Sequence, residues 1–304
     1  MYKNKASITA LISAFGRAYH ARNVSPIIFD DYLASQMLTE EEFMNLGKNL
    51  ARALPFFAPE EVDHCPDEQS ALAVVMRVQS TPITVSRARY TEDSLEALVD
   101  QGVQQYVILG AGLDTFAFRE PELCSRLQVF EVDHPATQEL KRRRLEDLGW
   151  QLPQNLHFVP VDFNQQSLIS ALEQSSFDPS LPSFFSWLGV TYYLHRDVVL
   201  DTLRSIANFV PSGSSIIFDY LDAHAFIPER TAIRVKRMQN AVQMSGEPMI
   251  TGLDPTNLAA ELAIVGLRLE ENLSPADIQE RYFKNRTDGY TAFEHVHFAR
   301  AVVK

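Results

Sequence analysis

A short apolar run that ends in two closely spaced glycines constrains the fold of this chain more than any other feature. The run covers residues 106–109, includes the β-branched Val107 and Ile108, and is followed by Gly110 and Gly112. Its length and composition are typical of an interior strand of a parallel sheet. Glycine lets the backbone approach a ligand where a Cβ atom would clash. The segment therefore predicts a buried strand that carries a glycine loop to a bound cofactor.

The residues after the glycines narrow the class of ligand. A dinucleotide-binding loop has a third glycine three residues after the second, where this chain has Thr115. Asp114 brings a carboxylate to the place where a pyrophosphate would lie, and the two would repel each other. The loop therefore disfavours NAD and nucleoside triphosphates. Taken alone, it is also compatible with a plain turn after a core strand.

Acidic residues follow the next two predicted strands, at 127–133 and 156–161. Asp133 ends the first of these strands, and Asp162 with Phe163 follows the second. Ligands of open α/β sheets bind at the carboxyl ends of the strands, where an acid can hold two ribose hydroxyls. A second acid can accept a hydrogen bond from an adenine amine, and a phenyl ring can lie against the base. Each acid alone is equally typical of a helix N-cap, but the three strand ends together predict an adenosine site.

Four motifs in this order resemble the leucine carboxyl methyltransferase family. They are Leu-Gly-Ala-Gly-Leu-Asp-Thr at 109–115, Phe-Glu-Val-Asp-His-Pro at 130–135, Val-Pro-Val-Asp-Phe at 159–163 and Ser-Trp-Leu-Gly-Val-Thr-Tyr-Tyr-Leu at 186–194. Further similarity at 14–18, 28–32, 86–90, 253–255 and 281–283 extends the resemblance over essentially the whole chain. The chain is most similar to the bacterial branch of S-adenosylmethionine-dependent O-methyltransferases. The resemblance implies S-adenosylmethionine as the cofactor and an α/β, Rossmann-like class I methyltransferase fold.

The resemblance also implies which residues hold each part of the cofactor. It places the methionine part against Gly110, Ala111 and Gly112. It assigns the ribose to Asp133 and the adenine to Asp162 and Phe163.

A fixed cation is needed for the carboxylate of the cofactor, and an arginine supplies it as a two-pronged donor. Arg87 is the best match to the family's arginine in this role. Arg89 and Arg17 are the competing assignments, and each arginine alone is also typical of a solvated helix surface.

Leu188 is a departure from the family pattern. Many relatives carry an acid at this position, next to the cofactor. If that acid fixes the cofactor ammonium in relatives, backbone carbonyls or another side chain such as Asp114 must do so here. This departure leaves a second interpretation open, in which the protein binds S-adenosylmethionine without transferring its methyl group.

The chain-wide pattern predicts a single domain, 1–304, with three parts. Residues 1–100 form a helical N-terminal extension, and 104–304 form the Rossmann-like core. Strands are expected at 106–109, 127–133, 156–161, 183–187, 214–219, 266–270 and 294–303, giving a seven-stranded, mostly parallel sheet whose last strand is antiparallel. The last two strands read as a hairpin, and the proline-bearing segment 55–66 reads as a loop.

An insertion at 220–251, rich in methionine and arginine, is expected to form a cap over the acceptor pocket. A carboxylate acceptor needs no base, whereas a hydroxyl acceptor would benefit from one. The candidate bases are Tyr192, Tyr193 and His195 after the fourth strand, with His224 after the fifth. His295 and His297 alternate on the last strand without a carboxylate at ligand spacing, so they are expected to be structural, and no metal is expected.

Composition limits the partners. The formal net charge of −12 disfavours nucleic acid and anionic membranes as partners. Cys65 and Cys124 form neither a metal cluster nor a disulfide framework, and no segment has the ~20 apolar residues of a membrane span. The sequence thus predicts a cytoplasmic O-methyltransferase that acts on a small acceptor, including acceptors of secondary metabolism. The alternatives are a non-catalytic S-adenosylmethionine-binding protein and, less favoured, an NAD-dependent dehydrogenase.

Overall fold

A seven-stranded sheet forms the centre of the computed structural model, which describes residues 8–162 and 165–304. Its strand order is β3-β2-β1-β4-β5-β7-β6. The strands are β1 Gln105–Leu109, β2 Gln128–Asp133, β3 Leu156–Pro160, β4 Ser183–Trp187, β5 Ser215–Leu221, β6 Leu267–Leu273 and β7 Val296–Val303. Every predicted strand is present, with ends shifted by at most a few residues. The predicted class I methyltransferase fold is confirmed.

Burial on both faces explains why the central strands are nearly continuous apolar runs. All residues of β1, β4 and β5 are buried. Alternate residues of β1 point to two different hydrophobic clusters, with Ile108 in one and Val107 in the other. Helices cover both faces, as parallel sheets require, because their crossover connections run outside the sheet.

The two C-terminal strands reverse the direction of the sheet. β7 pairs antiparallel with β5 on one side and with β6 on the other, which confirms the antiparallel last strand. The two strands are neighbours as expected, but the hairpin interpretation is wrong. Residues 274–295 join them and contain a short helix, Pro275–Ile278, and a π-helical turn, Gln279–Phe283.

Helices make up the chain before β1 and most of the connections after it. They are α1 Ile8–Asn23, α2 Glu40–Arg52, α3 Leu54–Phe57, α4 Glu68–Val78, α5 Thr81–Val99, α6 Phe116–Arg119, α7 Pro121–Cys124, α8 Pro135–Asp147, α9 Leu168–Glu173, α10 Arg196–Phe209, α11 Ile233–Met244, α12 Leu258–Ile264 and α13 Pro275–Ile278. None of these helices, which cover only the described residues, is long and apolar enough to cross a membrane.

The segment 55–66 is not the loop that its prolines suggest. It contains the end of α3 and a 3-10 helix, Pro59–His64. Pro55 and Pro59 occupy the first turns of these two helices, where a proline fits because that N–H has no intrahelical acceptor. A proline at such a position starts a helix rather than breaking one.

Helix α5 connects the extension to the sheet. Its C-terminal residues Leu95, Leu98 and Val99 are buried in the same hydrophobic cluster as Ile108 of β1. Their spacing puts them on one face of the helix, and this face packs against the sheet. The helix is therefore held firmly against the strand that precedes the glycine loop.

The insertion after β5 is a short helical excursion. β5 itself continues to Leu221, and a 3-10 helix, Ala223–Phe226, and α11 follow. In α11, Arg237 donates to the carbonyl of Phe57 at 2.7 Å. The insertion is thus fastened to the N-terminal extension.

Candidate functional site

The glycine loop leaves β1 in a conformation that favours glycine. Gly110 and Gly112 have φ values of 74° and 54°, which L side chains rarely adopt. A Cβ atom on Gly110 would lie 3.0 Å from Cγ2 of Val190. The Gly110 N–H donates to the carbonyl of Val132 on β2 at 2.8 Å, so the loop is tied to the neighbouring strand.

Asp133 at the end of β2 fixes the other end of this loop. Its Oδ2 accepts from the Gly112 N–H at 2.5 Å, and its Oδ1 accepts from the His134 N–H at 2.6 Å. Burial raises the pKa of Asp133, while these two backbone donors oppose that rise. Each carboxylate oxygen retains a second lone pair, so the group can still accept from ribose hydroxyls.

The structure describes only part of the segment that follows β3. Asp162 accepts from the side-chain amide of Gln165 at 2.8 Å. The predicted adenine contact Phe163 lies outside the described residues.

A cavity that is open to solvent lies against the glycine loop. Five predicted cofactor-binding residues line it: Arg87, Gly110, Ala111, Asp114 and Leu188. The remaining lining residues come from α1, residues 28–32, α5, β1, the residues after it and β4, namely Ser13, Arg17, Phe29, Asp31, Thr84, Ala88, Thr91, Glu92, Tyr106, Ile108, Leu109, Thr115, Arg119 and Ser186. Asp133 and Asp162 do not line the cavity, but Asp133 adjoins it through its hydrogen bond to Gly112.

The three candidate arginines differ in their surroundings. Arg87 lines the cavity and forms a buried ion pair with Asp219 of β5, with Nη1 2.7 Å from Oδ2. Burial lowers the pKa of Arg87, but the charge of Asp219 outweighs it and raises the pKa overall. Arg17 also lines the cavity, but its guanidinium already donates to Asp31 and to the Leu113 carbonyl at 2.7 Å each. Arg89 is 53% exposed and pairs with Asp93, away from the cavity.

An ion-pair network that the sequence did not predict lines part of the cavity. Arg119 pairs with Glu92 of α5 and with Glu120, and its Nε lies 3.8 Å from Asp31. Burial raises the pKa of Glu92 to about 7, with Arg119 opposing the rise and Asp114 adding to it. Asp31 belongs to the matched segment 28–32, so a charged residue inside that segment was the available signal.

Two polar atoms in the same part of the cavity have no partner within the described residues. They are the Thr91 Oγ1 and the Arg119 Nε, both buried. Buried polar atoms are nearly always hydrogen-bonded, to protein, water or ligand. This end of the cavity is therefore suited to a polar group.

The candidate bases do not line the cavity. The Tyr192 hydroxyl lies 3.3 Å from Arg87 Nη1, and burial raises the pKa of Tyr192 to about 12. Burial likewise raises the pKa of Tyr193, whose ring contacts that of Tyr192. His195 is exposed and begins α10 without a side-chain cap bond. His224 is also exposed and contacts Arg230 at 2.7 Å.

The two histidines of β7 and its preceding turn surround Asp222. His295 Nδ1 lies 3.0 Å from Asp222 Oδ1, and His297 Nε2 lies 3.6 Å from Oδ2. Burial raises the pKa of Asp222, but both histidines outweigh it and bring the pKa to about 2. Among the described residues, no group of three or more acidic, histidine or cysteine side chains is arranged to hold a metal ion.

No residue of 220–251 is among those that line the cavity. The methionines of this segment differ in burial, since Met238 is buried and Met244 is 74% exposed. In the described part of the chain, the walls of the cavity come from the extension and the strand ends.

Comparisons with known proteins agree with this fold and with the family that the sequence resembles. The model of the leucine carboxyl methyltransferase family matches residues 10–207. A Bacillus subtilis protein named "Putative S-adenosyl-L-methionine-dependent methyltransferase YktD" is 43% identical over 305 residues, which cover 100% of both chains. A protein of Mycobacterium tuberculosis H37Rv with the same description is 30% identical over 230 residues, covering 76% of this chain and 70% of its own.

Solved structures share the fold at low identity. A DUF574 family protein of Streptomyces avermitilis has a TM-score of 0.59 at 15% identity, covering 99% of this chain and 98% of its own. A Thermobifida fusca protein, described as a methyltransferase, has a TM-score of 0.59 at 14% identity, covering 100% and 97%. The fold and site define a class I methyltransferase. The chain belongs to the leucine carboxyl methyltransferase family.

Proposed function

We propose that this chain transfers a methyl group from S-adenosylmethionine to an oxygen of a small acceptor, with a carboxylate favoured over a hydroxyl. The chain is an S-adenosylmethionine-dependent methyltransferase by its family and by its relative of 43% identity, and S-adenosylmethionine is its cofactor. The observation that carries the proposal is the cavity that joins the glycine loop to Arg87.

The described residues fit this cofactor. The amino-acid end of the cofactor carries a carboxylate and an ammonium, and the cavity offers a guanidinium at Arg87 and a carboxylate at Asp114. The glycine loop leaves room over Gly110, and Asp133 beside it supplies acceptors for ribose hydroxyls. In relatives with an acid at the position of Leu188, that acid would bind the ammonium of the cofactor. In this chain, Asp114 takes this role in our proposal.

S-adenosylmethionine supplies an electrophilic methyl group on a sulfonium. The protein contributes mainly alignment of the acceptor oxygen and exclusion of water. Arg87 fixes the carboxylate of the cofactor, and Asp133 fixes its ribose. The network of Arg119, Glu92 and Asp31 forms part of the wall of the cavity.

The surroundings of the candidate bases favour a carboxylate acceptor. Tyr192 and Tyr193 keep their protons at neutral pH because burial raises their pKa values, so neither is a good base. His195 is exposed and lies outside the cavity lining. A carboxylate is already ionised at neutral pH and can accept a methyl group without a base.

Calorimetric titration with S-adenosylmethionine, S-adenosylhomocysteine and NAD tests the cofactor assignment. The wild-type chain should bind the first two and not NAD. Asp133→Ala should weaken both sulfur ligands by about a hundredfold, since it removes charge-assisted hydrogen bonds to the ribose and to Gly112. Asp254→Ala is a matched control, because Asp254 also accepts backbone and side-chain hydrogen bonds but does not line the cavity.

An acceptor screen tests the reaction. Pairs of small molecules that differ only in a carboxylate or a hydroxyl should separate the two acceptor classes, with formation of S-adenosylhomocysteine as the readout. Turnover with the carboxylic acids supports the proposal. Turnover with the hydroxyl compounds alone would show that the acceptor is a hydroxyl and not a carboxylate. Binding of the cofactor with no turnover on any acceptor would favour a non-catalytic binding protein.

A further inference from the structure

Asp219 connects three parts of the candidate site from a fully buried position. It lies near the end of β5 and is 0% exposed. Its Oδ2 accepts from Arg87 Nη1 at 2.7 Å, and its Oδ1 accepts from the Gly189 N–H at 2.6 Å. Its backbone carbonyl accepts from Thr191 Oγ1 at 2.6 Å. One residue thus joins α5, β5 and the turn that follows β4.

These contacts leave one side of the arginine available to a ligand. The bonds to Asp219 and Tyr192 both use Nη1 of Arg87. Nη2 and Nε have no hydrogen-bond partner among residues 8–162 and 165–304. Since Arg87 lines the cavity, this second edge of the guanidinium is the one that can meet an anionic group there.

Gly189 packs directly against the guanidinium of Arg87. Its φ is 74°, and a Cβ atom at this position would lie 2.6 Å from Arg87 Nη2. The absence of a side chain at Gly189 and the acceptor on Asp219 therefore set the position of the guanidinium together. Leu188, directly before Gly189, lines the same cavity.

We infer that Asp219 is a positioning residue, which holds Arg87 and the Leu188–Gly189 backbone in place for the amino-acid end of S-adenosylmethionine. This inference rests on the proposed function. The buried carboxylate neutralises the guanidinium and fixes one of its edges, so the other edge presents its donors in a fixed direction. Two fixed donors bind a carboxylate more tightly than a mobile side chain does.

Affinity for two ligands that differ in the amino-acid part separates positioning from general stabilisation. S-adenosylhomocysteine carries the amino-acid end, and 5′-methylthioadenosine lacks it. Asp219→Asn should weaken S-adenosylhomocysteine about tenfold and change 5′-methylthioadenosine less than about twofold. Glu131→Gln is the matched control, because it replaces the acid of another fully buried ion pair and should not alter the ratio of the two affinities.

A second variant keeps the test decisive if Asp219→Asn does not fold. Gly189→Ala leaves Asp219 intact and introduces the Cβ atom that would displace the guanidinium. It should produce the same selective loss of S-adenosylhomocysteine. The double variant Asp219→Asn, Arg87→Met should bind S-adenosylhomocysteine no more weakly than Arg87→Met alone. Both changes remove the same interaction, so their effects should not add.

The outcomes distinguish this inference from the proposed function. If Arg87→Met keeps full affinity for S-adenosylhomocysteine, the assignment of Arg87 to the carboxylate is wrong. If Arg87→Met loses affinity while Asp219→Asn and Gly189→Ala keep it, Asp219 has no positioning role. Equal weakening of both ligands by Asp219→Asn would also overturn the inference, since it indicates a general structural effect.

Discussion

The candidate cofactor site has two halves that are built differently. The nucleoside half consists of the carboxyl ends of β1, β2 and β3, with Asp133 and Asp162. The methionine half is the cavity, whose walls come from α1, residues 28–32, α5, β1 and β4. The first half arises from strand ends that follow one another in the sequence. The second arises from segments far apart in the chain, such as Arg87 and Asp219.

This difference decides how each half is stabilised. Asp133 is held by backbone N–H groups of its own and the neighbouring loop, so its position depends on main-chain geometry. Arg87 is held by the charged side chain of Asp219, and Arg119 is held by that of Glu92. The nucleoside half should therefore tolerate side-chain changes around it better than the methionine half does.

The largest effect is expected for a buried ion pair of β2, the strand that carries Asp133. Glu131 of β2 and Lys141 of α8 form an ion pair at 2.5 Å, and both side chains are 1% exposed. Lys141→Met leaves a buried carboxyl without its partner, so the free energy of unfolding should fall by about 3 to 5 kcal/mol. Urea unfolding at pH 8 measures this loss.

The double variant Lys141→Met, Glu131→Gln is the control for that experiment. It removes both charges and should recover part of the stability, because an unpaired buried charge is worse than no pair. A loss below about 1 kcal/mol in the single variant would mean that the pair does not support β2.

An effect of intermediate size is expected on the pH dependence of stability, through Glu92 in the methionine half. Burial raises the pKa of Glu92 from 4.5 to about 7, with Arg119 opposing it. The folded state therefore holds a proton that the unfolded state releases, and this contribution to stability is complete below pH 4.5 and lost as the pH rises through 7. Glu92→Gln should remove about 1 to 3 kcal/mol of this pH dependence between pH 4.5 and 8.

Glu120→Gln is the comparison for Glu92→Gln. Glu120 pairs with the same Arg119 but is 45% exposed, and its charge makes only a minor contribution to the raised pKa of Glu92, so its replacement should change the pH dependence much less than Glu92→Gln does. Unfolding curves at several pH values measure both variants. Parallel pH profiles for Glu92→Gln and the wild type would show that Glu92 titrates at its ordinary pKa.

The smallest effects are expected outside both halves. His195 is exposed and does not line the cavity, so His195→Ala should change kcat less than about twofold. Tyr192→Phe removes a single 3.3 Å contact to Arg87 and should weaken S-adenosylmethionine about twofold. Steady-state kinetics on the acceptor found in the screen measure both. A drop in kcat above about tenfold for His195→Ala would identify it as the general base of a hydroxyl acceptor.

The same two halves differ in how far the sequence predicts them. Strand ends carry their chemistry in short local patterns, so the sequence places Gly110 and Asp133 at neighbouring strand ends. The structure brings them together there, with the glycine loop hydrogen-bonded to Asp133. The role of each residue toward the cofactor remains a prediction.

The contacts of the methionine half depend on which distant segments of the chain pack together. Local sequence patterns do not predict that packing. Asp219 reads as the last residue of an apolar strand, whereas β5 continues to Leu221 and buries it completely. A carboxylate inside such a strand requires a cation, which was the available signal. The partner Arg87 follows only from the packing of α5 against the sheet.

Helix α5 also limits where this chain can be shortened or joined to a relative. Its first half supplies Arg87 and Glu92 to the cavity, and its second half packs Leu95 beneath β1. A shortened chain that begins at residue 104 would keep every strand but lose a wall of the cavity and a layer of its core. Exchange of parts between relatives should therefore place the junction before Thr81, so that α5 is inherited together with the sheet.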